Sequence, residues 1–191
     1  MVLIVGSLGM RDTMDAFLDL YYNGATQYAS RIYLAEDATD EQRSAIVGRY
    51  DGDWSGSVAV QLEEKAISLD VYSVTHDRVR FPAQAGGYTA LEDEGAYLCM
   101  RLAEKYGLAA GDTFTVSPYG TDDTYTLRVA GIVRSVSENI AVTPAYAYRL
   151  GLTYTIDSVY TTAEKAQIGT DAAIKSVQSK QAIMDSFDSF V

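Results

Sequence analysis

The chain has one cysteine, Cys99, and one histidine, His76, among its 191 residues. A lone cysteine forms no internal disulfide and no thiolate cluster, and a lone histidine excludes any site built on two imidazoles, so zinc chemistry drops out. Redox compartment stays undecided, because such a chain looks the same inside and outside a cell. Basic residues are also scarce: 15 against 26 acidic ones leave a net charge of −11. That charge repels phosphate backbones and anionic lipid surfaces at long range and argues against nucleic acid as a partner. No apolar run approaches the roughly 18 residues that span a bilayer, and no secretory leader with a cleavage site follows Met1. Nucleotide-binding loops, G-x-S-x-G nucleophile turns and calcium loops are missing as well. Only three prolines interrupt the chain. With 48% apolar and 21% charged residues, the composition is that of a folded domain.

What is present is a mixed succession of helical and strand patterns. Met10, Met14, Phe17 and Tyr21 recur at helical spacing over residues 10–22. A strand is expected over 28–34. Thr39 and Gln42 form a capping box opening a helix that carries Ala45 and Ile46. Val58, Val60 and Leu62, then Ile67, Leu69 and Val71, alternate as a hairpin with one wet face. A helix is expected over 96–106, ended by Gly107 in the left-handed cap. Gly111-Asp112 turns into a strand over 113–116, and Asp122-Asp123 turns into another carrying Tyr125, Leu127 and Val129. Thr143 as cap, Pro144 in the first turn and Gly151 beyond the end mark a short helix. After a strand over 156–161, a long final helix is expected from about Asp171, with Ile174, Val177, Met184, Phe187 and Val191 on one stripe.

Few residues offer chemistry. His76 could act as a base, but a single histidine in a polar loop is ordinarily a solvated side chain. Cys99, inside an apolar run expected to be helical, reads as a small buried hydrophobe rather than a nucleophile. The acidic groups at Asp37, Asp40 and Glu41, at Glu92-Asp93-Glu94 and at Asp122-Asp123 sit at helix starts and turns, where structure alone accounts for them. No catalytic residue, cofactor or metal ligand is assigned. Fifteen tyrosines suit half-exposed sheet margins or a contact surface.

The opening Val2-Leu3-Ile4-Val5-Gly6, followed by Gly9-Met10-Arg11-Asp12-Thr13-Met14, has three readings: a buried strand, a cofactor loop, or the last turns of a membrane helix. Ala103 to Phe114 reads A-E-K-Y-G-L-A-A-G-D-T-F, and Tyr125 to Val133 carries the pattern Y-T-x-x-V-x-G-I-V. With the stretch from Val177 through Ser189, these segments resemble the extracytoplasmic domain of ABC-transporter permeases of the FtsX-like, MacB-like family, in its Gram-positive form. The resemblance implies an α+β fold. A mixed α/β core of residues 1–83 and 143–191 would carry an inserted smaller α+β lobe at 84–142 and be flanked by N- and C-terminal stalk helices that continue into the membrane.

It further implies no enzymatic activity and no cofactor. The partners would be a separate cytoplasmic ATP-binding subunit or domain, the membrane helices of the same chain, and a peptide, lipid or lipoprotein substrate. The location would be the extracytoplasmic side of the cell membrane. Met10, Met14, Phe17 and Tyr21 on the first helix, and Ile174, Val177, Met184 and Phe187 on the last, would be the coupling residues, packed as an antiparallel pair. Two other readings stay open. A secreted ligand-binding module would show a deep pocket lined by tyrosines, and an intracellular α/β enzyme would use residues 1–5 as a central strand with a ligand at Gly6 to Gly9.

Overall fold

The computed structural model of the chain describes residues 9, 12–74 and 77–189. The opening pentapeptide, Met10, His76 and Val191 therefore lie outside the described residues. The alternating apolar residues of β2 (Asp53–Leu62) and β3 (Lys65–Tyr72) make an antiparallel hairpin, with Val60 opposite Ile67 and Val58 opposite Leu69. Its two-residue turn puts Glu63 in the left-handed region at φ 53°. β3 then pairs in parallel with β9 (Asn139–Val142), which pairs with β6 (Ala96–Cys99), and β6 runs parallel to β8 (Tyr125–Val133). β7 (Thr113–Pro118) lies against β8 and returns to the far end of β2 through Val60–Pro118 and Gln61–Ser117. Six strands, β2-β3-β9-β6-β8-β7, thus close into a ring. Closure removes the unpaired strand edges that an open sheet of this size would expose.

The near half of β2 pairs instead with β10 (Thr155–Thr161), followed by β1 (Ser30–Leu34) and the edge strand β11 (Ile174–Ser179), all antiparallel. Among the described residues this gives one nine-stranded sheet plus a two-stranded hairpin of β4 (Phe81–Pro82) and β5 (Tyr88–Thr89). The fold is α+β. Residues 84–142 are joined to the rest through the β3–β9 ladder as well as through the chain itself.

Hydrophobic side chains gather in three clusters. The ring strands share one with α3 (Met100–Tyr106) and α4 (Pro144–Leu150), built on Leu69, Leu98, Leu102, Leu127, Ile140 and Ala147. A second, of Ile32, Leu34, Ile46, Val159 and Ala173, joins the wing formed by β10, β1 and β11 to α2 (Asp40–Arg49). The third, around Phe81, Leu91, Tyr97 and Ala141, fills the space under the β4–β5 hairpin.

Local chemistry fixes the helix ends as the sequence suggests. Thr39 accepts from the Gln42 amide N–H at 3.2 Å, and the Thr39 N–H donates to the Gln42 side chain at 2.8 Å. Thr143 accepts from Tyr146 N–H at 3.2 Å, and Gly107 and Gly151 take the left-handed cap at φ 62° and 71°.

Two expected helices are corrected. Residues 96–99 are not helical but form β6, buried in all four positions between β8 and β9. Cys99 therefore ends a central strand, 1% exposed, instead of lying inside a helix. A short all-apolar run has the same periodicity in a buried strand and a buried helix, and here the sheet takes it. The final helix, α5, spans Lys180–Asp188; Ile174 and Val177 belong to β11. The register slips opposite Tyr33/Leu34, so that Val177 faces Ile32 and Ile174 faces Leu34. The inserted residue lets two positions three apart share one face of a strand, which imitates helical spacing.

Candidate functional site

Residues 12–18 form α1, which widens at its end into a π-helix over Asp19–Ala25. The widening closes with Thr26 donating from its amide to the carbonyl of Tyr21 at 3.0 Å, five residues back, reinforced by the Thr26 hydroxyl at 2.8 Å. π-turns inside helices recur where a helix must meet a fixed partner. Here the partner is the body. The Ala25 carbonyl accepts from Arg80 N–H at 2.9 Å, Gln27 N–H donates to Arg78 at 2.7 Å, and the Tyr88 hydroxyl donates to the Leu20 carbonyl at 3.1 Å.

Gly24 makes the Tyr88 contact possible: a Cβ there would stand 1.6 Å from the Tyr88 oxygen. Gly24→Ala is therefore expected to destabilise the chain by about 1 kcal/mol through overpacking. In a Tyr88→Ala background most of that penalty should vanish, because only a 3.2 Å approach to the Asp19 carbonyl oxygen remains. Urea unfolding of the four proteins of this cycle measures the difference.

The C-terminal helix departs from the same corner. Lys180 donates from its backbone N–H to the Ala29 carbonyl at 2.9 Å and from Nζ to the Thr26 carbonyl at 2.7 Å. Partial burial lowers the pKa of this ammonium. Ser179 caps α5 by accepting from Ala182 N–H at 3.3 Å. Further out, the Phe187 ring meets Phe17 edge-on at 6.1 Å and Tyr22 at 5.7 Å, while Phe17 and Tyr21 lie 4.9 Å apart. One contact thus joins Thr26, just past the π-helix, to Lys180 at the start of α5, and another joins Phe17 and Tyr22 to Phe187 near the end of α5. Offset and edge-on aromatic pairs of this kind contribute about 0.5–1.5 kcal/mol beyond their burial.

Of the eight residues expected at this pair, Phe17, Tyr21 and Phe187 meet directly or through one another. Met14 and Met184 are half-buried on α1 and α5. Ile174 and Val177 lie away from the pair, on β11, against the cluster under α2. Met10 is outside the described residues. Tyr22 belongs to the pair and escapes a 3.6-residue periodicity, because the wide turn brings a residue five beyond Phe17 onto the same side. Among the described residues no helix is long and apolar enough to cross a membrane.

No protein-family model and no curated protein matches the chain. Several solved structures are similar to it, two of them transporter domains of the following kinds. One is the periplasmic region of MacB from Actinobacillus actinomycetemcomitans, at 9% identity and TM-score 0.45, covering 87% of this chain and 95% of that one. The other is the extracellular domain of the noncanonic ABC-type transporter YknZ from Gram-positive bacteria, at 15% identity and TM-score 0.39, covering 71% and 83%.

Proposed function

We propose that the chain is the extracytoplasmic domain of an ABC-transporter permease of the FtsX-like, MacB-like type, and that α1 and α5 are its lever. The observation that carries this reading is the shared corner: both terminal helices leave the body side by side and remain in contact through Phe17, Tyr22 and Phe187. Two helices entering one bilayer from one domain need that arrangement. ATP would be hydrolysed by a separate cytoplasmic subunit or domain. Its nucleotide state would bias the orientation of the membrane helices, and the lever would pass that bias to the body, which acts on a peptide, lipid or lipoprotein outside the membrane. The hydrogen bonds that seat the π-helix support a rigid transmission, since helix ends tied to the body by several hydrogen bonds move with it.

Met184 on α5 and Met14 on α1 test the reading. In the complete transporter, Met184→Asp or Met14→Asp would place a charge beside the pair and separate the helices at little cost to the body. ATP hydrolysis is expected to continue while the external output falls by about tenfold or more, the loss expected when a bias of roughly 1.4 kcal/mol is no longer transmitted. Undiminished output from a well-folded variant would contradict the proposal.

A further inference from the structure

The face of the wing opposite α2 carries a cleft of about 260 Å³ lined by polar side chains from five strands, β1, β2, β3, β9 and β10, and from the segment before β9. Strand alternation puts Arg31 there, while Ile32 points to the core. Asp70 and Ser57 are cross-strand partners on that face. Asp157 reaches it through a bulge: the register of β10 against β2 slips between Ile156 and Ser158. Bulges re-aim a side chain in this way and recur beside binding sites.

Its charges are separated rather than neutralised. Asp70 accepts from Ser68 at 2.5 Å and from Asn139 at 2.6 Å, and Asp157 accepts from the Ser57 hydroxyl. Neither carboxylate forms an ion pair among the described residues. Burial raises the pKa of Asp70; the hydrogen bonds from Asn139 and Ser68 and the more distant charge of Arg31 offset part of this, and the charge of Asp157 adds to it. The Arg31 guanidinium, which also has no carboxylate partner there, is held by two bonds to the Ser158 hydroxyl at 3.2 and 3.0 Å. It lies over the rings of Tyr33 and Tyr160 at 4.5 and 5.3 Å. A third carboxylate of the lining, Glu138, is paired with Lys65 and Arg101, whereas Asp70, Asp157 and Arg31 have no partner at ion-pair distance and leave unused part of the attraction that would offset their desolvation. A ligand with both signs of charge restores it. A lone metal ion would face Arg31, and a phosphate would face both carboxylates.

We propose that this cleft binds a small zwitterion of about dipeptide size, its ammonium between Asp70 and Asp157 and its carboxylate on the Nη1–Nη2 edge of Arg31, the Nε–Nη2 edge being held by Ser158. Arginine suits the second role because its planar donors match a carboxylate in pairs. The proposal concerns this cleft alone and does not depend on the transporter reading.

The test is an NMR titration of the 191-residue chain with Ala-Ala carrying free termini, N-acetyl-Ala-Ala and Ala-Ala amide. The free dipeptide is expected to saturate with a Kd below about 10 mM and to shift amides of β1, β3 and β10 around the cleft. Each blocked peptide should bind at least about tenfold more weakly, as should the free dipeptide to Asp157→Asn or Arg31→Lys. Equal binding of blocked and free dipeptides, shifts elsewhere on the molecule, or no saturation in that range would overturn the proposal. The peptide comparison decides the matter even if a variant fails to fold.

Discussion

Arg43→Met is expected to lower the stability of the chain by about 2–4 kcal/mol, because it leaves buried backbone acceptors without a donor, at about 1–3 kcal/mol for each that finds no other partner. Arg43 is 4% exposed on α2, yet no carboxylate meets it among the described residues. Its guanidinium donates instead to backbone carbonyls of Ala35, Glu36 and Ala38, which connect β1 to α2, and of Ile156 at the β10 bulge. One side chain thus satisfies acceptors from two distant segments and ties α2 to the wing. Methionine keeps much of the stem and supplies no donor, leaving those carbonyls to find water at a buried edge. Arg43→Lys retains the charge but offers a single point donor in place of a planar fork, so it should recover less than half of the loss. Urea denaturation of the three proteins measures both differences, and a cost below about 1 kcal/mol for Arg43→Met would contradict the assignment.

Leu98→Ala should cost about 2–5 kcal/mol, the range for emptying a packed site of a leucine side chain. Leu98 is 0% exposed in β6, with β8 on one side and β9 on the other. Tyr148→Ala, at a side chain 86% exposed on α4, is the matched control and should stay within about 0.5 kcal/mol of the parent. Thermal or urea unfolding of this pair measures the contrast between a packed and an exposed position.

Helix boundaries were readable where they depend on neighbours in the chain. The reciprocal bonds of Thr39 and Gln42, the Thr143–Pro144 start and the Gly107 and Gly151 ends need only a few consecutive residues. The strands that enter helices without a turn were not readable. β6 runs straight into α3, and β11 straight into α5, so no glycine or proline marks the change. At β11 the bulge places Ile174 and Val177 on one face, and only the pairing partner β1 reveals the slip.

The same distinction applies to the sites. Phe17 and Phe187 could be inferred from helical stripes near each end, whereas Tyr22 required the π-turn. The polar cleft had no sequence signal, because Arg31, Asp70 and Asp157 come together only through the order of strands in the sheet and a bulge in β10.

The pairing of α1 with α5 underlies the functional reading, and a double-mutant cycle on Phe17→Ala and Phe187→Ala measures it most directly. The account predicts that the two losses are coupled by about 0.5–1.5 kcal/mol, as expected for aromatic rings in contact. Strictly additive losses would mean that the rings do not meet in solution and that the two ends of the chain do not form one lever.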